Sequence, residues 1–310
     1  MANVAAPGSP LEGAGGAGDA RPTASSVAWI GRAAADWLPA LPLLLVAFAL
    51  LVLPTAALVV ESFRDDAGRW TLAAWNETLN RRGDRRAIAT SLRLGVVSAT
   101  IAAVVGAPLA WLISRMATAG RSTWLALLNV AANFGGIGLA FGYVAALGTF
   151  GMVTLALRQL GLGFSPPASA SFPGLVIAYA YTNVPLFVLL TLPAMGLVRR
   201  DWMEAAEVAA ATRFQFWRFV GVPVLTPFLA AGWLLIFTWS IGIYGLAYAL
   251  AGTGATAQLR LMTLQIGVAL NSSAAGQDRA AVMAVLLLLF ATASLITYRL
   301  TLRWALRWFA

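Results

Sequence analysis

The chemistry open to this chain is set first by the residue types it lacks. Its 310 residues contain no Cys and no His, and all 21 basic residues are Arg. Without Cys there are no disulfides and no thiolate metal ligands. Without His, the commonest general base and metal ligand is missing. Without Lys, neither Schiff-base chemistry nor a phosphate-gripping P-loop lysine is possible. The chain therefore cannot hydrolyse ATP through a Walker-type site of its own. Its acidic residues form no converging carboxylate pair. A proton-coupled carrier ordinarily keeps a carboxylate or His at mid-membrane, and neither occurs in the last five apolar stretches described below. These residues speak against an enzyme; no catalytic residue, metal or cofactor is expected.

The polar segment that stands out is 199–223, RRDWMEAAEVAAATRFQFWRFVGVP. Asp201 followed three residues later by Glu204 has capping-box spacing. Trp202, Ala205, Ala206 and Ala209 then share one face at helical spacing. The aromatic group Phe214, Phe216, Trp217 and Phe219 follows, with Arg213 and Arg218 interleaved. The pattern predicts a short helix lying at the membrane surface and ending where Pro223 opens the next span.

The elements that must position this segment follow from composition. Hydrophobic residues make up 60% of the chain and charged residues 11%, with mean hydropathy +0.79. A soluble domain carries about 25% charge, so lipid is the natural solvent here. Six apolar stretches, approximately 38–61, 87–114, 122–150, 172–198, 224–250 and 280–302, each reach the ~20 residues that span a bilayer as a helix. Residues 1–28, rich in Gly, Ala, Pro and Ser, predict a disordered tail without the apolar core of a signal peptide. The net charge of +9 fits Arg at membrane edges rather than nucleic-acid binding. With the amino terminus inside, Arg placement only weakly sets the orientation. Arg93, about six residues into the second stretch, is placed to snorkel to the outer face or to meet an anionic solute or a docking protein.

Glu204-Ala205-Ala206, three residues, Ala210, nine residues, Val220, one residue, Val222-Pro223 resembles the EAA loop of importer-type ABC permeases, EAA-x3-G-x9-I-x-L-P. Ala210 stands where the family has Gly, which questions the tight bend expected there, whereas a helical continuation accommodates Ala. Gly106-Ala107-Pro108-Leu109-Ala110 is similar to the G-x-P-L-A of the permease core. The stretch GLAFGYVAALGTFGMVTLALRQLGL resembles the branch importing polyamines, iron(III), thiamine or phosphonates. The resemblance covers roughly residues 85–305. It implies an all-α membrane protein, a type I ABC importer permease bundle of six transmembrane helices with a cytoplasmic coupling helix. It also implies a multi-pass protein of a bacterial-type inner membrane. The implied partners are an ABC ATPase subunit dimer, a second permease subunit, an external solute-binding protein and membrane lipid.

On that resemblance Asp201, Glu204, Ala205, Ala206, Ala210, Arg213, Arg218 and Pro223 belong to the ATPase-docking loop. The layout becomes 1–28 tail, 29–86 first helix and external loop, and 87–305 permease core with the loop at 199–223. Polar and aromatic residues in the third to fifth helices are candidates for the solute path: Asn129, Asn133, Tyr143, Tyr179, Tyr181, Asn183, Trp239 and Tyr244. A buried Asn in lipid marks either a helix–helix hydrogen bond or a solute contact. A stand-alone secondary carrier and a non-transporting scaffold or receptor are the competing readings.

Overall fold

The computed structural model describes residues 38–65, 67–161, 166–252, 259–272 and 274–306; the expected tail 1–28 lies outside them. The chain divides into two units, 1–54 and 55–310. In the first, an apolar helix begins at Leu41 and passes through a π-helical turn at Phe48–Val52. The helical run Leu41–Glu61 is α1.

Among the described residues the second unit consists of helices joined by turns and loops, with one isolated bridge between Arg64 and Trp70. Its further helices are α2 (Ala73–Asn80), α3 (Arg82–Ser114), α4 (Thr118–Asn133), α5 (Gly136–Leu147), α6 (Met152–Gln159), α7 (Phe172–Met195) and α8 (Arg200–Val208). They continue with α9 (Arg213–Gly242), α10 (Gly245–Ala251), α11 (Met262–Leu270) and α12 (Ala274–Leu306). Among the described residues six runs are long and apolar enough to cross a membrane: Leu41–Glu61, Arg82–Ser114, Gly136–Gln159, Phe172–Met195, Arg213–Gly242 and Gly276–Arg303.

Two of the expected stretches are broken. The stretch 122–150 divides into α4 and α5 because Gly135 is extended and Gly136 adopts φ +65°, a conformation open to Gly at little cost. The ring of Phe134 then lies over Gly138 and Gly142. The stretch 224–250 divides at Ile243–Tyr244. In lipid an interrupted helix must find internal partners for its backbone. Here the Ile243 carbonyl accepts from the hydroxyls of Tyr179 and Thr263, each at 3.4 Å. A Cβ on Gly245 would lie 4.0 Å from the Gly136 Cα, so the two interruptions meet.

Three apolar clusters run along α3 and α7, and the second and third also take in α9. One joins Leu94 to Leu139, Tyr179, Leu246 and Leu261. The central one holds Ala99, Ala102, Phe187 and Ile236. The third joins Ile113 to Val188, Met195, Phe216 and Leu225. The helix α7 is the most enclosed of the apolar spans. Side-chain hydrogen bonds tie the bundle: Asn183 Nδ2 to Ser240 Oγ at 2.9 Å, and Trp233 Nε1 to Thr100 Oγ1 at 3.1 Å. Small residues set the helix spacing. A Cβ at Gly106 would come within 2.8 Å of Phe187, and one at Gly232 within 2.9 Å of Thr191 and 3.2 Å of Phe187. Overpacking a tight core costs about 1–3 kcal/mol. Gly106→Val is accordingly expected to destabilise the detergent-solubilised protein by about that amount, read as a lowered thermal midpoint; an unchanged midpoint would show that Phe187 yields freely.

Candidate functional site: the helical bracket at 199–223

At one end of the bundle, α8 and the start of α9 form a bent helical bracket. The helix α8 turns one face inward, where Trp202, Met203 and Ala206 pack on the cluster containing Ile113, Val198 and Phe216. Glu204, Ala205 and Ala209 face outward with Val208, which is 90% exposed. The expected shared face of Trp202, Ala205, Ala206 and Ala209 is thus corrected. Trp202 and Ala206 are half-buried against the bundle, while Ala205 and Ala209 lie exposed beside Glu204.

The caps also differ from expectation. The N-cap residue of α8 is Arg199, without a side-chain cap, and Asp201 in the first turn pairs with the Arg199 guanidinium instead of capping with Glu204. An acid in the first turn still favours the helix through the macrodipole. The capping box of the segment lies further on. Gln215 N donates to Thr212 Oγ1 at 3.3 Å, and Thr212 N donates to Gln215 Oε1 at 2.7 Å, opening α9.

Between these helices the backbone reverses at Ala210, the one described non-glycine residue with positive φ, at 56°. Ala211 N donates to Ala206 O at 2.9 Å and Ala210 N to Glu207 O at 3.0 Å. These are the paired bonds of a Schellman motif with Ala210 at its left-handed position. Helical continuation through Ala210 is therefore overturned: the tight bend is present, made by a residue that pays for its Cβ. Pro223 stands in the first turn of the α-helical stretch Val222–Gly242, as expected, although that stretch continues a helical run from Arg213. A π-helical turn at Trp217–Gly221, with Val222 N donating to Trp217 O, accommodates the proline's missing donor.

The bracket is anchored by residues that the sequence pattern did not single out. Arg115, just past the end of α3, stacks its guanidinium 4.0 Å from the Trp111 ring centroid. It donates to the Val198 carbonyl at 3.3 Å and reaches Met203 Sδ at 3.9 Å. Burial, and secondarily the nearby Arg200, lowers its pKa from the usual arginine value. Trp111 meets Trp217 edge-to-face at 4.6 Å, and the indole of Trp217 occupies the space where a Cβ on Gly221 would stand. Trp111, Arg115, Arg200, Met203, Glu204 and Glu207 enclose a cleft of about 320 Å³. Thr212-x-x-Gln215 was legible as a capping signature; the contacts of Arg115 and Gly221 are set by residues far away in sequence. Arg213 and Arg218 are exposed, the latter 5.7 Å from the Phe219 ring centroid.

The path candidates separate by burial. Tyr143, Tyr179 and Asn183 are buried, and Tyr179 and Asn183 hold helices together through the bonds above. Asn129, Asn133, Tyr181, Trp239 and Tyr244 are exposed. Asn129 and Asn133 share a face of α4, each amide donating to the carbonyl four residues earlier. Tyr244 stacks on Tyr248 at 5.3 Å and borders a 130 Å³ cavity with Gln265 and Asn271. Arg93 is exposed and lies 5.1 Å from the Phe172 ring centroid.

The bend permits a direct test. A left-handed Ala costs about 1–2 kcal/mol, partly offset because Gly has more freedom in the unfolded chain. Ala210→Gly is expected to stabilise the protein by about 0.5–1 kcal/mol and raise its thermal midpoint. A lowered midpoint would contradict the strained corner.

No family model matches the chain. The sulfate transport system permease protein CysT of Salmonella typhimurium is 28% identical over 205 residues, 66% of this chain and 70% of that protein. The spermidine/putrescine transport system permease protein PotB of Escherichia coli is 24% identical over 198 residues, covering 62% and 72%. A bacterial alginate ABC transporter, solved in complex with an alginate pentasaccharide-bound periplasmic protein, has a chain that superposes with TM-score 0.68 at 17% identity. That match covers 88% of this chain and 94% of the other, and at this identity it speaks for the fold. Curated relatives, six apolar helices and fold agree: the chain is a membrane-spanning transport permease, similar in sequence and fold to those of ABC importers.

Proposed function

We propose that this permease forms half of a two-permease pore and is driven by a separate ABC ATPase that docks on the bracket of α8 and the start of α9. The observation carrying this reading is the bracket's two-sidedness. Its inner face is locked to α3 and α9 by Trp202, Met203 and Arg115, while its outer face offers Glu204, Ala205 and Val208 to solvent. A lever must be rigid toward what it moves and open toward what drives it. Asp201, Arg213 and Arg218 add charge around that outer face, Ala210 and Pro223 shape its two ends, and Ala206 joins it to the bundle. ATP binding would draw paired brackets together and turn the pore outward, and hydrolysis would reset it. This places α8 and the amino terminus on the cytoplasmic side of a bacterial inner membrane, and the start of α3 outside.

The layout of a tail at 1–28, a first helix and external loop at 29–86 and a core at 87–305 accompanies this reading. A small polar solute would be delivered by an external binding protein, as the alginate complex illustrates for its own system. Asn129, Asn133, Tyr181, Trp239 and Tyr244 are the path residues with faces free to meet it. Tyr143, Tyr179 and Asn183 maintain the wall behind them.

Val208 is exposed enough that substitution leaves the fold intact. Losing a central interface contact costs about 2 kcal/mol or more, so Val208→Asp is expected to weaken ATPase association at least ~tenfold. Glu204→Ala should uncouple solute uptake from ATP hydrolysis. Co-purification and proteoliposome uptake measure these effects. Undiminished association and uptake in both variants would refute docking at this bracket.

A further inference from the structure

The end of α3 opposite the bracket carries a second polar cavity. At 1.5 Å per residue the 33 residues of α3 separate the two by about 50 Å. This cavity, about 190 Å³, is bordered by Arg81, Asp84, Arg260, Gln265 and Arg279. Two observations show that its groups are not satisfied by one another. Asp84 is 97% buried by its 3% exposure, yet its Oδ2 accepts no hydrogen bond. Arg260 acts electrostatically on Asp84, but among the described residues it donates no hydrogen bond and makes no ion-pair contact. Its guanidinium is seated against α3 where only glycine leaves room, since a Cβ at Gly83 would collide with Arg260 Nη1. Arg81 reaches Glu77 only loosely, at 3.8 Å.

A buried acceptor lacking a donor and a guanidinium lacking an acceptor thus share one cavity. Arginine forks match oxyanions, whereas a buried carboxylate repels a fully deprotonated one. A ligand satisfying both must accept from arginine and donate to Asp84. We infer that this cavity binds a hydroxyl-bearing oxyanion of the phosphate or phosphonate class, with Arg81 and Arg260 holding its oxygens and Asp84 accepting its hydroxyl. Sulfate, with no hydroxyl at neutral pH, is the anion the site rejects. A site built to hydrogen-bond a hydroxyl discriminates strongly against analogues lacking one. Gln265 and Val268 also border the cavity beneath Tyr244 and Tyr248, so the anion lies beside the candidate path. The inference rests on the transport reading only in making this anion the cargo; binding itself is a property of the chain alone.

The test is direct binding of inorganic phosphate and of sulfate to the purified full-length chain in phosphatidylcholine nanodiscs at neutral pH. Phosphate is expected to bind saturably and at least ~tenfold more tightly than sulfate. Asp84→Asn, whose amide can donate as well as accept, is expected to bring the two anions to within a few-fold. Arg260→Gln should weaken phosphate at least ~tenfold. Thermal midpoints of both variants report whether they fold, and Gly83→Ala, which displaces Arg260 without removing a polar group, supplies an independent loss of binding. Absence of phosphate binding, equal binding of the two anions by the unaltered chain, or an unchanged ratio in folded Asp84→Asn would overturn the proposal. Nanodiscs containing phosphatidic acid identify the source. Competition assigns the site to a lipid headgroup bearing the same hydroxyl, and its absence assigns the site to a soluble anion. ATPase co-purification is scored separately, so a failed anion site and a failed permease reading give different results.

Discussion

Phe187 is held where three helices come too close for anything larger than glycine beside it. With Gly106 on α3 and Gly232 on α9 removing the side chains that would stand in its way, the ring fills the centre of the bundle with no exposed surface. In lipid, helices gain little from hiding apolar surface from one another, and association comes from close packing and interhelical hydrogen bonds. The Asn183–Ser240 and Trp233–Thr100 bonds near this contact supply the second part. The placement of both polar ends depends on this central fit, because α3 passes through it and carries Asp84 near one terminus and Trp111 near the other.

That rod gives the bracket something to act on. Trp202, Met203 and Arg115 join α8 to the end of α3, and the continuous run of α9 carries Phe216 and Trp217 from the bracket directly into a membrane span. A displacement of α8 therefore has two packed routes into the bundle. At the far end the interruptions beside Gly136 and Tyr244 divide two helical stretches into shorter segments. Local rearrangement there can occur without unravelling α7, whose Tyr179 meets the Ile243 carbonyl at the second interruption.

Much of this was legible in the sequence, and the failures have physical causes. Apolar run length and the EAA spacing pointed to a six-helix permease, because a bilayer imposes length and the loop resembles that of importer permeases at fixed spacing. Hydropathy could not locate the break at Gly135–Gly136, since glycine is apolar enough to leave the window unchanged while its backbone turns. Asp201–Glu204 had capping-box spacing, but the neighbouring Arg199 attracts the Asp201 carboxylate. Thr212–Gln215, with the same spacing and no such competitor, forms the box. Ala210 misled because helix propensity describes a residue's preference, whereas the Schellman bonds to Ala206 and Glu207 impose the corner on it. Among the path candidates, residue type alone did not distinguish Asn183, spent on Ser240, from Asn129 on an exposed face.

The indoles of Trp111 and Trp217, 4.6 Å apart and crossed at 83°, have an optical consequence. One ring belongs to the end of α3 and the other to the bracket's transition into α9. At this separation their excited states mix, and the mixing changes sign and strength with mutual orientation. The molecule thus carries its own goniometer: any movement of the bracket against α3 alters the near-ultraviolet circular dichroism of this pair without an attached dye.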